Sequence, residues 1–383
     1  MLPKIDCWIK VLHDSSLLQE VGRASLDDVA VMSKLRKKWS IEEITVASEL
    51  VTARKKANEK LSFATTLASD VEGIQQSTSS AIANHKAKRF FGHERIFDLC
   101  CGIGVDLHAL PEHAVGVDCN PLRCWMAEEN THKTVHCDDA TSYALPKQCV
   151  VHIDPARRNS AGRVYTLEKM TPSFSDVIAI AKNTTGGCIK LSPAVNPEDV
   201  VAITQPFEIE YIEEKNRLVQ AVLWYGSLAT NSGGLTATSM KLDLSISGEV
   251  CAPRFSTQIH SWVLEPNVAL ERAGLHGTLG NSFGASELSP GIGLLSSQEK
   301  PDSPWFTCFE VLATTSLRIE KVAALLKEHA CTQVEVKTRG KTIDPNVWQK
   351  KLNKKASGPL LTLFALRLGK KRIALLTRRC VAP

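Results

Sequence analysis

Residues 95–118 read RIFDLCCGIGVDLHALPEHAVGVD: an apolar run, a turn with two glycines, a short helical stretch, and a second apolar run closing on an acid. This pattern predicts strand, glycine turn, helix, strand. The alternation continues downstream. A helix is expected over Asn120 to Asn130, then a strand Thr134 to Cys137 ending in Asp138-Asp139-Ala140, and a strand Cys149 to Ile153 ending in Asp154-Pro155. A helix Ser173 to Asn183, a strand Cys188 to Leu191 and a short helix Pro197 to Ile203 follow. Glu208 to Gly226 then holds two runs that suit an antiparallel pair. Strands alternating with helices imply an open, doubly wound α/β sheet whose strand ends deliver polar residues to one edge.

The residues before this block are polar and helical. Over Ile41 to Leu61, Ile44, Val46, Leu50, Val51 and Ala57 repeat at helical spacing, and Ser40 with Glu43 forms a capping box. A second helix is expected over Gln75 to Phe90, with Ser and Thr at its start and Lys86, Lys88 and Arg89 at its end. It serves either as a plain cap on the sheet or as a cover for a cofactor or substrate.

Beyond the block, Thr230 to Ser239 (TNSGGLTATS) looks like a boundary. A strand over Lys241 to Ser247, a helix over Glu265 to Leu275 started by Pro266, and a loop over Gly277 to Pro304 come next. The last segment reads strand, helix, strand, helix, strand, strand, with Asp344 capping a helix opened by Pro345. The expected organisation is a helical region 1–90, a sheet domain 91–230, a connecting subdomain 231–305 and a small α/β module 306–383.

At 383 residues, 43% hydrophobic and 23% charged, the chain has the composition of a globular protein with room for several cores. Its net charge of +5 is unevenly spread. From Lys337 to Pro383 there are thirteen Lys or Arg against one acid, Asp344, a local excess of +12 that marks a candidate polyanion surface. The twelve cysteines follow no repeated C-x-x-C, which argues for free thiols in a reducing compartment. His132 and His136 are spaced like helical metal ligands, but the second falls in an expected strand, so no metal is expected. With no signal-peptide core and no run of membrane length, a cytoplasmic location is expected.

The glycine turn carries the chemistry. Gly102 and Gly104 let the backbone approach a ligand closely, but a dinucleotide fingerprint needs a third glycine or alanine where Leu107 stands. Asp118 can accept both hydroxyls of a ribose, while amides of the turn and the Asp98 region can receive an amino acid moiety. This resembles motifs I and II of class I S-adenosylmethionine methyltransferases, with Cys100 in place of the usual first glycine. The resemblance implies S-adenosylmethionine as cofactor, bound by Asp98, Cys100, Gly102, Gly104, Asp118 and, reading the adenine amine, Asp139.

At the fourth strand VHIDPARRNSAGRV resembles the amino-methyltransferase motif (D/N)PP plus an aromatic, with Asp154 and Pro155 retained and Ala156-Arg157 replacing the rest. Asp154 and Pro155 are the expected catalytic residues, and Arg157, Arg158 and Lys190 the expected substrate contacts, with a solvated loop as the bland alternative for the arginines. Covalent pyrimidine chemistry is disfavoured: its enzymes carry a cysteine turn where this chain has Lys190-Leu191-Ser192-Pro193, and Cys188 falls inside a strand.

Together QQSTSSAIANHKAK, DLCCGIGVD, IDPARR, IKLSP, EPNVALERAGL and the terminal FEVL, VEVKTRG and LFALRLGKKRIALL resemble the bacterial methyltransferase family ending in a THUMP-like domain. The resemblance implies methyl transfer to RNA, structured tRNA or rRNA, at a base nitrogen rather than by C5 chemistry. Two alternatives stand beside it: an RNA-binding protein with a catalytically idle methyltransferase fold, and a small-molecule enzyme, against which the basic terminus argues.

Overall fold

The structure is a computed structural model describing residues 4–25, 28–156, 158–159, 162–163, 167–200, 202–340, 342–353 and 358–380. The chain forms two compact units, Met1–Ile209 with Ala221–Gly233, and Glu210–Gln220 with Gly234–Pro383. The four segments expected from sequence thus fall into two bodies.

The first unit opens with α1 (Ile5–Leu12), α2 (Ser15–Arg23), α3 (Val29–Leu35) and α4 (Ile41–Ala57). The Ser40–Glu43 capping box of α4 is formed in both directions. These helices share one core with the sheet region: Trp8, Leu17, Leu50 and Leu67 pack with Ile103, Val105 and Met126. The helix expected from Gln75 is broken in two, α5 (Val71–Gln76) and α6 (Ser80–Ala87). Ser77 is extended and Ser79 accepts from the Ile82 amide as N-cap, so hydroxyls that compete for backbone donors end one helix and start the next.

The sheet follows as β1 (Ile96–Leu99), α7 (Val105–Ala109), β2 (Val115–Asp118), α8 (Pro121–Thr131), β3 (Val135–Cys137) and β4 (Val150–Ile153). A small hairpin, β5 (Arg158–Asn159) with β6 (Gly162–Arg163), precedes α9 (Phe174–Lys182) and β7 (Gly186–Leu191). Only a single 3-10 turn, Pro197–Val200, stands where a short helix was expected. Then β8 (Phe207–Glu214) and β9 (Arg217–Gly226) form the expected hairpin. Strand order β3-β2-β1-β4-β7-β9 has five parallel members and an antiparallel β9. The order reverses between β1 and β4, which sets the ligand crevice at their carboxyl ends.

In the second unit the sequence expectation needs three corrections. Leu235–Ser239, taken for part of a linker, is strand β10, paired to β11 (Leu244–Gly248) through Thr236–Ser247 and Thr238–Ser245 hydroxyl contacts. Pro266 ends strand β12 (Trp262–Pro266), and the helix α10 (Val268–Arg272) starts after the Asn267 cap. The glycine-rich stretch holds helix α11 (Leu275–Ser282), then β13 (Ser286–Glu287) and β14 (Leu295–Ser297). Its glycines serve close packing: a Cβ at Gly277 would lie 2.3 Å from the Cys251 carbonyl.

The terminal module matches its expected order, with β15 (Phe306–Ser316), α12 (Ile319–Glu328), β16 (Gln333–Thr338), α13 (Pro345–Leu352), β17 (Leu360–Leu368) and β18 (Lys371–Arg379). Asp344 caps α13, as expected. The seven-stranded order is β13-β14-β12-β15-β18-β17-β16.

Candidate active site

The turn after β1 is shaped by three left-handed residues, Cys100 (φ 60°), Gly102 (φ 57°) and Gly104 (φ 80°). Cys100 therefore occupies a conformation that glycine adopts without strain, which is why a glycine is the usual residue there. Space is open above Gly102, with no atom within 4 Å of where a Cβ would stand, whereas Gly104 packs against Ala127 and Thr131. Asp118 closes the turn: Oδ2 accepts from the Gly102 amide at 2.9 Å and Oδ1 from the Asn120 amide at 2.9 Å. Each carboxylate oxygen keeps a lone pair for a further donor. An open glycine surface beside an anchored carboxylate fits a nucleoside whose hydroxyls donate.

Asp139 is exposed and turned into its own loop, where Oδ1 accepts from the Thr141 amide and hydroxyl at 2.8 and 2.7 Å. Those bonds hold its carboxyl below the usual range. Burial pushes the Cys100 thiol well up, reinforced by Asp118 and Asp154, and burial does the same to Cys101. A raised pKa disfavours the reactive thiolate at both positions. Cys188 is wholly buried within β7, between His152 and Trp224 in register.

Asp98 does not face the crevice. It is fully buried, and Oδ1 accepts from His152 Nδ1 at 2.6 Å, while Oδ2 has no partner among the described residues. Burial raises its carboxyl pKa, with His152 opposing. The other ring nitrogen, His152 Nε2, lies 2.8 Å from Lys86 Nζ. An ammonium offers only donors, so that contact requires Nε2 as acceptor and the neutral ring protonated at Nδ1. Burial and the Lys86 ammonium press the ring toward neutrality, while Cys188, Asp98 and Asp106 pull it toward imidazolium and push its pKa up to about 10; against that pull, the 2.8 Å contact holds only while Nε2 is unprotonated or Lys86 is neutral. Lys86 also pairs with Asp106 Oδ1 at 2.8 Å. Burial works against that charge and Asp106 more than restores it, raising the lysine; Lys86 in turn holds Asp106 below the usual carboxylate range against burial.

The chain of contacts continues to the acceptor corner. Thr78, in the break between α5 and α6, donates to Asp106 Oδ2 at 2.8 Å and accepts from Lys190 Nζ at 3.1 Å. Lys190 donates to Asp154 Oδ2 at 2.6 Å. Asp154 sits at the end of β4, half-buried, with its amide on the Leu99 carbonyl at 3.2 Å, and Pro155 is buried behind it. Ala156 is tied by its backbone to Thr171.

The structure thus brings Gly102, Gly104, Asp118, Asp154 and Lys190 to the carboxyl ends of neighbouring strands. It sets Asp98 beneath them, and it turns Lys190 inward to a carboxylate and not outward to a substrate. Arg157 lies outside the described residues, and of Arg158 only the backbone in β5 is described. Sequence reasoning missed Thr78, Lys86, Asp106 and His152 as one cluster. The available signals were a histidine inside the apolar run VVHI and a lysine between His85 and Ala87 in α6.

In the second unit several of the basic residues are already paired: Lys337 with Glu265, Arg339 with Glu271, Arg378 with Glu310. At the β17–β18 hairpin the cations are exposed. Arg367 stands directly opposite Arg372 and Leu368 opposite Lys371, with Gly369 and Lys370 as the turn. Like charges directly across a ladder repel, so this tip suits an anion.

Residues 306–379 match the family described as THUMP domain-like. An uncharacterized S-adenosylmethionine-dependent methyltransferase of Mycobacterium tuberculosis, found in strains CDC 1551 and H37Rv, is 29% identical over 327 residues, covering 82% of this chain and 88% of that protein. A solved protein of Porphyromonas gingivalis W83, described as a "putative methyltransferase", superposes with a TM-score of 0.77 over 98% of both chains at 17% identity. No helix among the described residues is long and apolar enough to cross a membrane.

Proposed function

We infer that this chain, a class I methyltransferase fold ending in a THUMP-like domain, transfers methyl groups from S-adenosylmethionine, and we propose structured RNA, tRNA or rRNA of the cytoplasm, as the acceptor. The observation that carries the reading is the open surface over Gly102 beside the amide-anchored Asp118, one strand from Asp154. Bound there, the cofactor supplies an electrophilic methyl on a sulfonium.

The protein's own part is positioning. Asp118 receives the ribose hydroxyls, and the left-handed turn lets the backbone come close to the cofactor. Asp154 accepts a hydrogen bond from an exocyclic amine of a base, orienting the nitrogen lone pair and offsetting the positive charge that grows during attack. Pro155 stiffens that turn. Base nitrogen is favoured over pyrimidine C5 because the turn after β7 reads Lys190-Leu191-Ser192-Pro193 without a cysteine, and Cys188 is enclosed in the strand. RNA is favoured by the THUMP-like match and by the exposed cations of the β17–β18 tip. The competing reading, an idle fold that only binds RNA, draws on Cys100 in the cofactor turn and on Arg157 at the position of the motif's aromatic.

Two measurements test this. Calorimetry must detect S-adenosylmethionine binding by the full chain; none at millimolar cofactor ends the enzyme reading. With labelled cofactor and total RNA from cells lacking the protein, Asp154→Asn is expected to cut turnover by about 10² or more while leaving cofactor affinity nearly unchanged. Parental turnover in that variant would make the DPAR turn purely structural.

A further inference from the structure

Lys190 sits where sequence reasoning expects a substrate contact, yet its side chain is only 6% exposed and two of its three donors are spent within the protein, on Asp154 and Thr78. To grip a phosphate it would have to abandon an ion pair at 2.6 Å. Its position follows from the sheet: β4 and β7 run parallel with Ile153 opposite Ile189, so Asp154, just past the end of β4, comes beside Lys190, which is still paired within β7 to Val222 of β9. Thr78 approaches the same point from the segment between α5 and α6.

We propose that Lys190 is a positioning residue for methyl transfer, itself fixed by Thr78, which holds Asp154 Oδ2 so that Oδ1 alone is presented to the acceptor. The assignment rests on the reading of Asp154 given above. A carboxylate at a strand end has two free side-chain torsions, and its value as an acceptor depends on direction. An ammonium locked at one oxygen removes that freedom. No partner for Oδ1 occurs among the described residues, which leaves one lone-pair face for an amine. The hydroxyl of Thr78 is committed at both ends: its proton goes to Asp106 Oδ2, so its oxygen is the acceptor for Lys190. This also gives a role to the QQSTSS segment, whose Thr78 links the loop after β1, through Asp106, to the acceptor corner.

The titratable groups around Asp154 are Lys190 from β7, Cys100 from the turn after β1, Lys86 from α6, Asp106 from α7, and His152 and Asp98 beneath. Among the described residues Lys190 is the one whose side chain touches the carboxylate, so its removal leaves Asp154 without that partner.

The experiment uses the full chain as Lys190→Met, Lys190→Arg, Thr78→Val and Thr78→Ser, with labelled methyl transfer to RNA and carbon NMR of the Asp154 carboxyl, assigned by its loss in Asp154→Asn. In Lys190→Met, kcat should fall about 10²-fold, as for a misplaced reacting group. The acid limb of the rate profile and the Asp154 titration should both move to higher pH, and the KM for RNA and its salt dependence should hold within twofold. Lys190→Arg and Thr78→Ser should recover much of the loss, and Thr78→Val should fall between. A raised KM for RNA with a shallower salt dependence, and an unmoved Asp154 titration, would return Lys190 to the role of phosphate contact and overturn the proposal. If Lys190→Met does not fold, Thr78→Val decides: a parental pH profile and turnover there overturn it equally. If the parent protein methylates no RNA, the acceptor assignment fails by itself, while the Asp154 titration in the variants still decides the pairing.

Discussion

Replacing Lys86 with Met would expose how far the first unit depends on charges it has buried. Lys86 and Asp106 meet at 2.8 Å with side chains 2% and 10% exposed. At an effective dielectric of about 20, that separation is worth roughly 6 kcal/mol of attraction, set against desolvation of both ions. The net value of the pair is therefore small, but removing one partner is not its reverse. Methionine fills the volume and leaves Asp106 an unpaired buried anion and His152 Nε2 without its donor, a change worth about 3–5 kcal/mol. With a urea slope of about 2–3 kcal/mol per molar, the midpoint should fall by about 1–2 M. Hydrogen exchange at β1 and β4 amides would assign that loss to this unit. The pH dependence has a definite sign. In the parent, Asp106 has a depressed pKa, so its contribution is present above the unfolded carboxylate range and lost as pH falls through it. In Lys86→Met the anion is disfavoured and takes up a proton on acidification, so the deficit should narrow as pH drops toward that range. Lys86→Met/Asp106→Asn should recover more than half of the loss. A single variant within about 1 kcal/mol of the parent, or a deficit that ignores pH, would mean that water reaches this cluster and that the ionic description is wrong.

Asp118→Ala removes the acceptor for both the Gly102 and Asn120 amides as well as for a ribose, and cofactor affinity measured by calorimetry should weaken by roughly 1.5–3 kcal/mol. Cys100→Gly should be tolerated, within about 1 kcal/mol and with cofactor binding retained, because glycine adopts φ near 60° freely; Cys100→Val should lose more than 1 kcal/mol in thermal unfolding. Neutralising Lys370, Lys371 and Arg372 to Gln should weaken RNA binding at low salt and reduce the logarithmic salt slope by about 0.7 per contact for single strands; an unchanged slope would remove the hairpin tip from the RNA surface.

Much of this architecture is legible in the sequence because its signals are local. Short apolar runs ending in glycine or acid mark β1, β2 and β4, a capping box marks α4, and Asp344-Pro345 marks α13. What was not legible depends on partners far along the chain. Asp98 lies in a strand buried on both faces, where alternation cannot say which side a residue takes, and its partner His152 is 54 positions away. Lys190 reads as a substrate contact in the sequence, and only Thr78, 112 positions earlier, and Asp154 turn it inward. Composition misled at 235–239 and 275–282, where serine, threonine and glycine were taken for linker residues but serve hydroxyl pairing and close helix contacts.

The interleaving of the two units has a practical consequence. Because Glu210–Gln220 belongs to the second body while Ala221–Gly233 returns to the first, neither body is encoded by one uninterrupted stretch of gene. During synthesis the first body lacks β9, the antiparallel neighbour of β7, until a piece of the second has left the ribosome, so its final closure awaits at least residue 226. A gene fragment cut at the glycine-rich stretch after Thr230 divides β8 from β10, leaving Thr238 without Glu210 and Ser239 without Glu213 on one side, and two buried glutamates without their hydroxyls on the other. A cut at residue 306, where the family match begins, fares no better: it strips β12 from β15 and Val263 from Phe309, so neither boundary leaves a whole sheet.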